Sequence, residues 1–145
     1  MPAEQNLSNH TRFYPQFHFF VIPMLLINLG FHVSRLVKEG LSIGGIGGTL
    51  FALALPVGFL SCRLFSLTVQ DRVIRLEEQL RYMRLLPADL QARVGELSTG
   101  QIVSLRFAND AELPVLARKV LDDKIQNRKA IKQMIQNWRP DHLRA

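Results

Sequence analysis

The chain has 145 residues, 48% of them hydrophobic and 21% charged, with 18 Lys and Arg against 12 Asp and Glu and a formal net charge of +6. That length suits one compact domain, yet the apolar residues crowd toward the N-terminus instead of spreading as a soluble core would spread them. The lone cysteine, Cys62, excludes a disulfide framework and a paired-cysteine zinc site, and reads as a small apolar residue in preference to a lipidation or redox site.

In chain order, residues 1–16 form a polar N-terminal segment. No formally charged side chain occurs from Phe13 to Ser34, and none from Leu41 to Cys62. Each run, as a helix with a 1.5 Å rise per residue, reaches roughly 33 Å, against a hydrocarbon core of about 30 Å. Membrane spans are therefore expected at 17–37 and 41–63, joined by an external loop at 38–40. A pair of buried helices in a soluble protein would be shorter and would carry a polar stripe. A cleaved signal peptide fits badly, because only Arg12 precedes the first run as a cation and no small-x-small site follows it.

Residues 63–145 carry fifteen Lys and Arg against ten Asp and Glu, with Arg63, Arg72, Arg75, Arg81 and Arg84 close behind the second run. By the positive-inside rule the C-terminus is cytoplasmic, and with two spans so is the N-terminus; Arg35 and Lys38 at the outer end weigh the other way but are fewer. Phe13, Tyr14, Phe17, His18, Phe19 and Phe20 read as an aromatic belt at the cytoplasmic interface. Asn28, His32 and Arg35, spaced by four and three, share one face of the first span. They form a candidate intramembrane polar site, to be weighed against an interhelical hydrogen bond with a snorkelling arginine. Gly40, Gly44, Gly48 and Ala52 recur every fourth residue. An antiparallel hairpin turning near Glu39 sets Gly30 opposite Gly48 and Pro23 beside Pro56, so these small residues are candidates for helix packing, within the hairpin or between copies.

No Gly or Pro interrupts residues 59–86, so the second span is expected to continue as a helical stalk at 64–86. Val69, Val73, Leu76, Leu80 and Met83 alternate spacings of four and three, a candidate seam either for a coiled-coil dimer or for packing on the chain's own C-terminal part. Asp71 with Arg75 and Glu77 with Arg81 are placed for i,i+4 ion pairs. A basic bundle of short helices is expected at 87–139. Pro87 opens a helix from Ala88 to about Val94, closed by Gly95, and Ser98 or Thr99 caps a second carrying Ile102, Val103, Leu105 and Phe107. Asn109 or Asp110 caps a third with an apolar stripe at Leu113, Leu116, Ala117, Val120 and Leu121. A fourth runs from about Arg128 to Trp138 with Ile131, Met134, Ile135 and Trp138 buried. Residues 140–145 form a tail whose His142 reads as disordered, not catalytic.

Arg118, Lys119, Lys124, Arg128, Lys129, Lys132 and Arg139 make a candidate anionic-surface patch on the last two helices, suited to lipid headgroups or an acidic protein. Nucleic acid is not expected, because no glycine marks a helix-turn-helix turn and exposed aromatics are few. Nucleophile elbow, Walker glycine loop, HExxH and EF-hand patterns are all missing, so no enzyme, metal or cofactor is expected.

The strings QDRVIRLEEQLR (70–81), QIVSLRFANDAELP (101–114) and KAIKQMIQNWRPDHLR (129–144) resemble a bacterial family of small two-span membrane proteins with a domain of unknown function, and the likeness covers nearly the whole chain. It implies the same layout in a bacterial inner membrane, and no activity or site to carry over. The glycine-dense start of the second span departs from the family, where more leucine would stand. Taken together, the expectation is an all-α protein: a two-helix transmembrane hairpin continuing into a stalk and a small cytoplasmic bundle. It acts as a membrane-anchored interaction or scaffold module for a protein partner or the anionic leaflet. The alternatives are a channel or transport accessory using Asn28 and His32, or a membrane-tethered nucleic-acid-binding regulator.

Overall fold

The computed structural model describes residues 5–9 and 14–141. Within these the protein is all-α, with α1 (Ile22–Glu39), α2 (Ile43–Leu85), α3 (Ala88–Arg93), α4 (Thr99–Leu105), α5 (Leu113–Asp122) and α6 (Arg128–Met134). The chain divides into two compact units, one of residues 13–67 and one of residues 1–12 with 68–145. Phe13, Arg12 and His142, each given a role from sequence, lie outside the described residues.

The first unit is a helical hairpin. Its entry, Gln16–Val21, is wound as a π-helix closed by the Ile22 N–H donating to Phe17 O. Wider winding suits a turn that must accept Pro23, which has no N–H to donate and whose ring crowds the carbonyl four residues back. α1 ends at Gly40, whose φ of 81° lies in the region that favours glycine. Two helices are long and apolar enough to cross a membrane, Gln16–Glu39 and Ile43–Leu85, and their most apolar windows are 0% and 6% buried.

The hairpin register differs from the expected one. A Cβ built on Gly48 would meet His32 Nδ1 at 2.9 Å, and one on Gly45 would meet Leu36 Cδ1 at 3.2 Å, while around Gly30 there is open space. The Thr49 hydroxyl donates to Gly45 O at 2.8 Å and to His32 O at 3.3 Å. His32, not Gly30, therefore faces Gly48, and Pro56 lines an apolar groove with Leu25 and Leu26 while Pro23 is exposed. The shift arises because the turn takes up 40–42, later than a turn centred on Glu39.

The second unit is built around the last turns of α2. Its core holds Tyr82, Leu86, Leu90, Leu97, Ile102, Leu105, Phe107, Leu113, Val120 and Ile131. α4 starts with a full capping box, in which Ser98 Oγ accepts from Gln101 N and Gln101 Oε1 accepts from Ser98 N. At the end of α5, Ile125 N donates to Val120 O and Lys124 N to Leu121 O. This is a Schellman closure with Lys124 at φ 49°, where glycine would be unstrained. Asn127 caps α6, its Oδ1 accepting from Lys129 N and Ala130 N. α6 stops at Met134, four residues before the expected end. The following segment turns extended and pairs with 107–109 instead, Asn109 N donating to Asn137 O and Arg139 N to Phe107 O at 2.7 Å. That pairing sets Trp138 against Phe107, ring centroids 5.0 Å apart.

Candidate interaction surfaces

The polar residues expected on one face of the first span do not converge. His32 is turned toward α2, while the Asn28 side chain is exposed and takes part in no hydrogen bond among the described residues. Arg35 is engaged locally, its Nε donating to Glu39 Oε1 at 3.0 Å and its Nη2 to Oε2 at 2.7 Å. Of the small-residue stripe, Gly48 and Ala52 lie in the hairpin interface, whereas Gly44 has open space around it and Gly40 sits in the turn. Cys62 is exposed and unbonded to any other cysteine. Among the described residues no group of His, Cys, Asp and Glu is placed to hold a metal ion.

The stalk residues show a sharper division. Ile74, Glu78, Arg81 and Tyr82 are buried, at spacings of four, three and one, with Leu85 packed partly beside them. This face of α2 packs on the rest of the second unit. Val69, Val73, Leu76, Leu80 and Met83 point elsewhere and remain between 48% and 68% exposed. The helix does pack on the chain's own C-terminal part, but through this other face and not through the seam residues.

That opposite side carries charge into the core. Arg81 and Glu78 have side chains only 5% exposed and meet at 3.0 Å. Arg81 also donates from Nε to Asp110 Oδ1 at 2.8 Å and from Nη2 to Ala108 O at 2.7 Å. Arg139 reaches the other Glu78 oxygen at 3.2 Å, and buried Arg106 meets Asp141 at 3.0 Å while lying 4.4 Å from the Phe107 ring centre. These groups border a cleft of about 400 Å³ with Arg84 and Glu77. Its guanidinium groups are largely matched by carboxylates, so it is a structural network before it is a ligand site. Burial pushes the Glu78 carboxyl up, against the pull of Arg81 and Arg139. Burial, with the Glu78 charge, likewise raises the Tyr82 phenol, whose oxygen has no hydrogen-bond partner. The expected pairs Asp71 with Arg75 and Glu77 with Arg81 do not form; Arg81 takes Glu78 and Asp110 in their place. Apart from Glu78 and Arg81, which are three positions apart, the partners in this network lie 25 to 61 positions apart, beyond the reach of local sequence reasoning.

The basic patch is thinner than its composition. Arg118 is held by Asp89 at 2.7 Å, which keeps the Asp89 carboxyl below its ordinary value. Arg93 pairs with Asp122 at 2.7 Å one turn along the same two helices, so α3 and α5 are stapled by two reciprocal pairs. Arg139 is committed to Glu78, Arg128 lies over Gly100, and Lys132 sits 5.4 Å from the Phe107 ring centre. Lys119, Lys124 and Lys129 are exposed and remain for any acidic partner.

The sequence matches one family model over its full length. The chain belongs to DUF6526, a family of unknown function. The DUF6526 match runs over residues 1–145 and so covers both units. No curated protein and no solved structure matches the chain.

Proposed function

We propose that this DUF6526 protein is a membrane-anchored helical interaction module of a bacterial inner membrane, with both termini cytoplasmic, that engages a protein partner through its stalk. The observation that carries the reading is α2 itself: its N-terminal part is apolar and uncovered, and its C-terminal part leaves the 69–83 face open beside a well-packed core. Leaving that much apolar side chain in water is unfavourable by roughly 25 cal/mol per Å², so lipid around the hairpin and protein on the stalk face are the economical solvents. The shared side of the termini is supported by Gln5, whose Oε1 accepts from Asp141 N at 2.7 Å. A leaflet-binding role is less favoured, since Arg118 and Arg139 of the basic patch already hold carboxylates. The module is read as non-catalytic, its buried charged groups serving the fold.

The orientation is tested in intact cells with a membrane-impermeant maleimide, in a Cys62→Ser background. Lys38→Cys in the last turn of α1 is expected to label from outside, and Gln133→Cys on α6 only after the membrane is opened. Labelling of Gln133→Cys in intact cells would overturn the orientation.

A further inference from the structure

We infer that the open face of the stalk binds the same face of a second copy of this chain, forming a short parallel two-stranded coiled coil. The inference deepens the proposed reading and rests on it for strand direction: two copies anchored in one membrane present α2 running the same way.

The heptad register follows from the spacing. Val69, Leu76 and Met83 fall at d, and Val73 and Leu80 at a, all of them exposed. Val73 at a next to Leu76 at d is the combination that favours two strands, while Leu80 at a and Val69 and Met83 at d do not follow that pattern. The residues that pack on the bundle, Ile74, Glu78, Arg81, Tyr82 and Leu85, then occupy b, f, b, c and f. These are the outer positions of a coiled coil. The bundle therefore packs on the side of α2 away from most of the seam; Leu80 alone of the five borders the cleft with Arg106 and Arg139, and it stays exposed, so a second helix can approach the seam without displacing the core.

Flanking charges select the partner. In a parallel pair, a g residue faces the e residue five positions later on the other helix. Here g is Arg72 and the matching e is Glu77, so each copy offers the complement of the other. Both side chains are exposed and neither is engaged in an ion pair among the described residues. The next such pair, Gln79 with Arg84, is neutral against positive and carries no repulsion. Read antiparallel, the Arg72–Glu77 match is lost. About two heptads are few for a free helix in water, where three or four are the usual minimum. Confinement to one membrane raises the effective concentration of the second stalk and offsets that shortfall.

The test uses full-length chain in isolated membranes, with Cys62→Ser and a single cysteine at Val73, Leu76 or Leu80, oxidised by copper phenanthroline. Same-position disulfides at all three are expected, giving a species of twice the chain mass, while Arg75→Cys on the outer face gives none. Arg72→Glu is expected to lose most of that dimer, and Arg72→Glu with Glu77→Arg to recover it. Folding of every variant is checked by Trp138 emission. Membrane-inserted, folded chain that yields no seam cross-link above the Arg75→Cys control would overturn the dimer, as would adducts of another mass or unaltered cross-linking in Arg72→Glu. Chain found outside the membrane fraction would instead overturn the anchor reading, so the two failures are distinct.

Discussion

Removing the Arg81 guanidinium is the most informative single perturbation of the second unit. Arg81→Ala strips Glu78 of its 3.0 Å partner, leaves Asp110 unpaired and removes the donor to Ala108 O. Glu78 keeps only Arg139, at 3.2 Å. Breaking one side of a buried ion pair costs about 3–5 kcal/mol, because a charge is left in a poorly solvating site. For a domain of this size, each kcal/mol moves the midpoint by about 4–8 °C, so a fall of more than about 12 °C is expected. Trp138 is the only tryptophan and packs on Phe107 in the same unit, so its emission during heating in detergent reports this unit and not the hairpin. The loss has a pH signature. Glu78 is already raised by burial, and without Arg81 it rises further above its unfolded value. A carboxyl so raised contributes its stability below the unfolded value and loses it as pH climbs through the folded one. Relative to wild type, Arg81→Ala is therefore expected to be less destabilised at pH 5 than at pH 7. Adding Glu78→Ala should cost less than its effect alone, since the two groups act on each other. A midpoint shift under a few degrees at pH 7, or one equal at both pH values, would refute the buried network as described.

Three further outcomes follow from particular atoms. Tyr82→Phe removes a buried hydroxyl with no partner and is expected to stabilise the unit by about 1 kcal/mol, seen as a higher Trp138 midpoint. Lys124→Gly relieves a left-handed backbone at the end of α5 and is expected to add about 0.5–1 kcal/mol by the same measurement. Gly48→Leu drives a side chain into His32, where even a Cβ would come to 2.9 Å. It is expected to abolish a disulfide engineered between Leu36→Cys and Gly45→Cys in the Cys62→Ser chain, and His32→Ala should restore part of it.

Much of the fold is legible residue by residue wherever the signal is local. The two uncharged runs mark α1 and the first part of α2, Ser98 or Thr99 marks the start of α4, where the structure puts Ser98 at the cap, and the Leu113 to Leu121 stripe marks the buried face of α5. What was illegible depends on partners distant in sequence. Trp138 continues the periodicity of α6, but 137–139 pair with 107–109, and the helix ends at Met134. The buried face of the stalk was hidden because two of its members, Glu78 and Arg81, are charged. Only Asp110, Ala108 and Arg139, brought close by the fold, make their burial tolerable. The seam was visible as a pattern, while the fact that it stays open required knowing which face the bundle occupies. Likewise, composition showed a basic patch without showing that Asp89 and Glu78 hold two of its arginines.

The whole account turns on lipid being the medium around Gln16–Glu39 and the apolar part of Ile43–Leu85. Alkaline carbonate extraction of broken cells without detergent, followed by ultracentrifugation and flotation, measures this directly. The unmodified chain is expected to float with the vesicles; recovery in the carbonate supernatant would contradict the anchor, the topology and the parallel stalk alike.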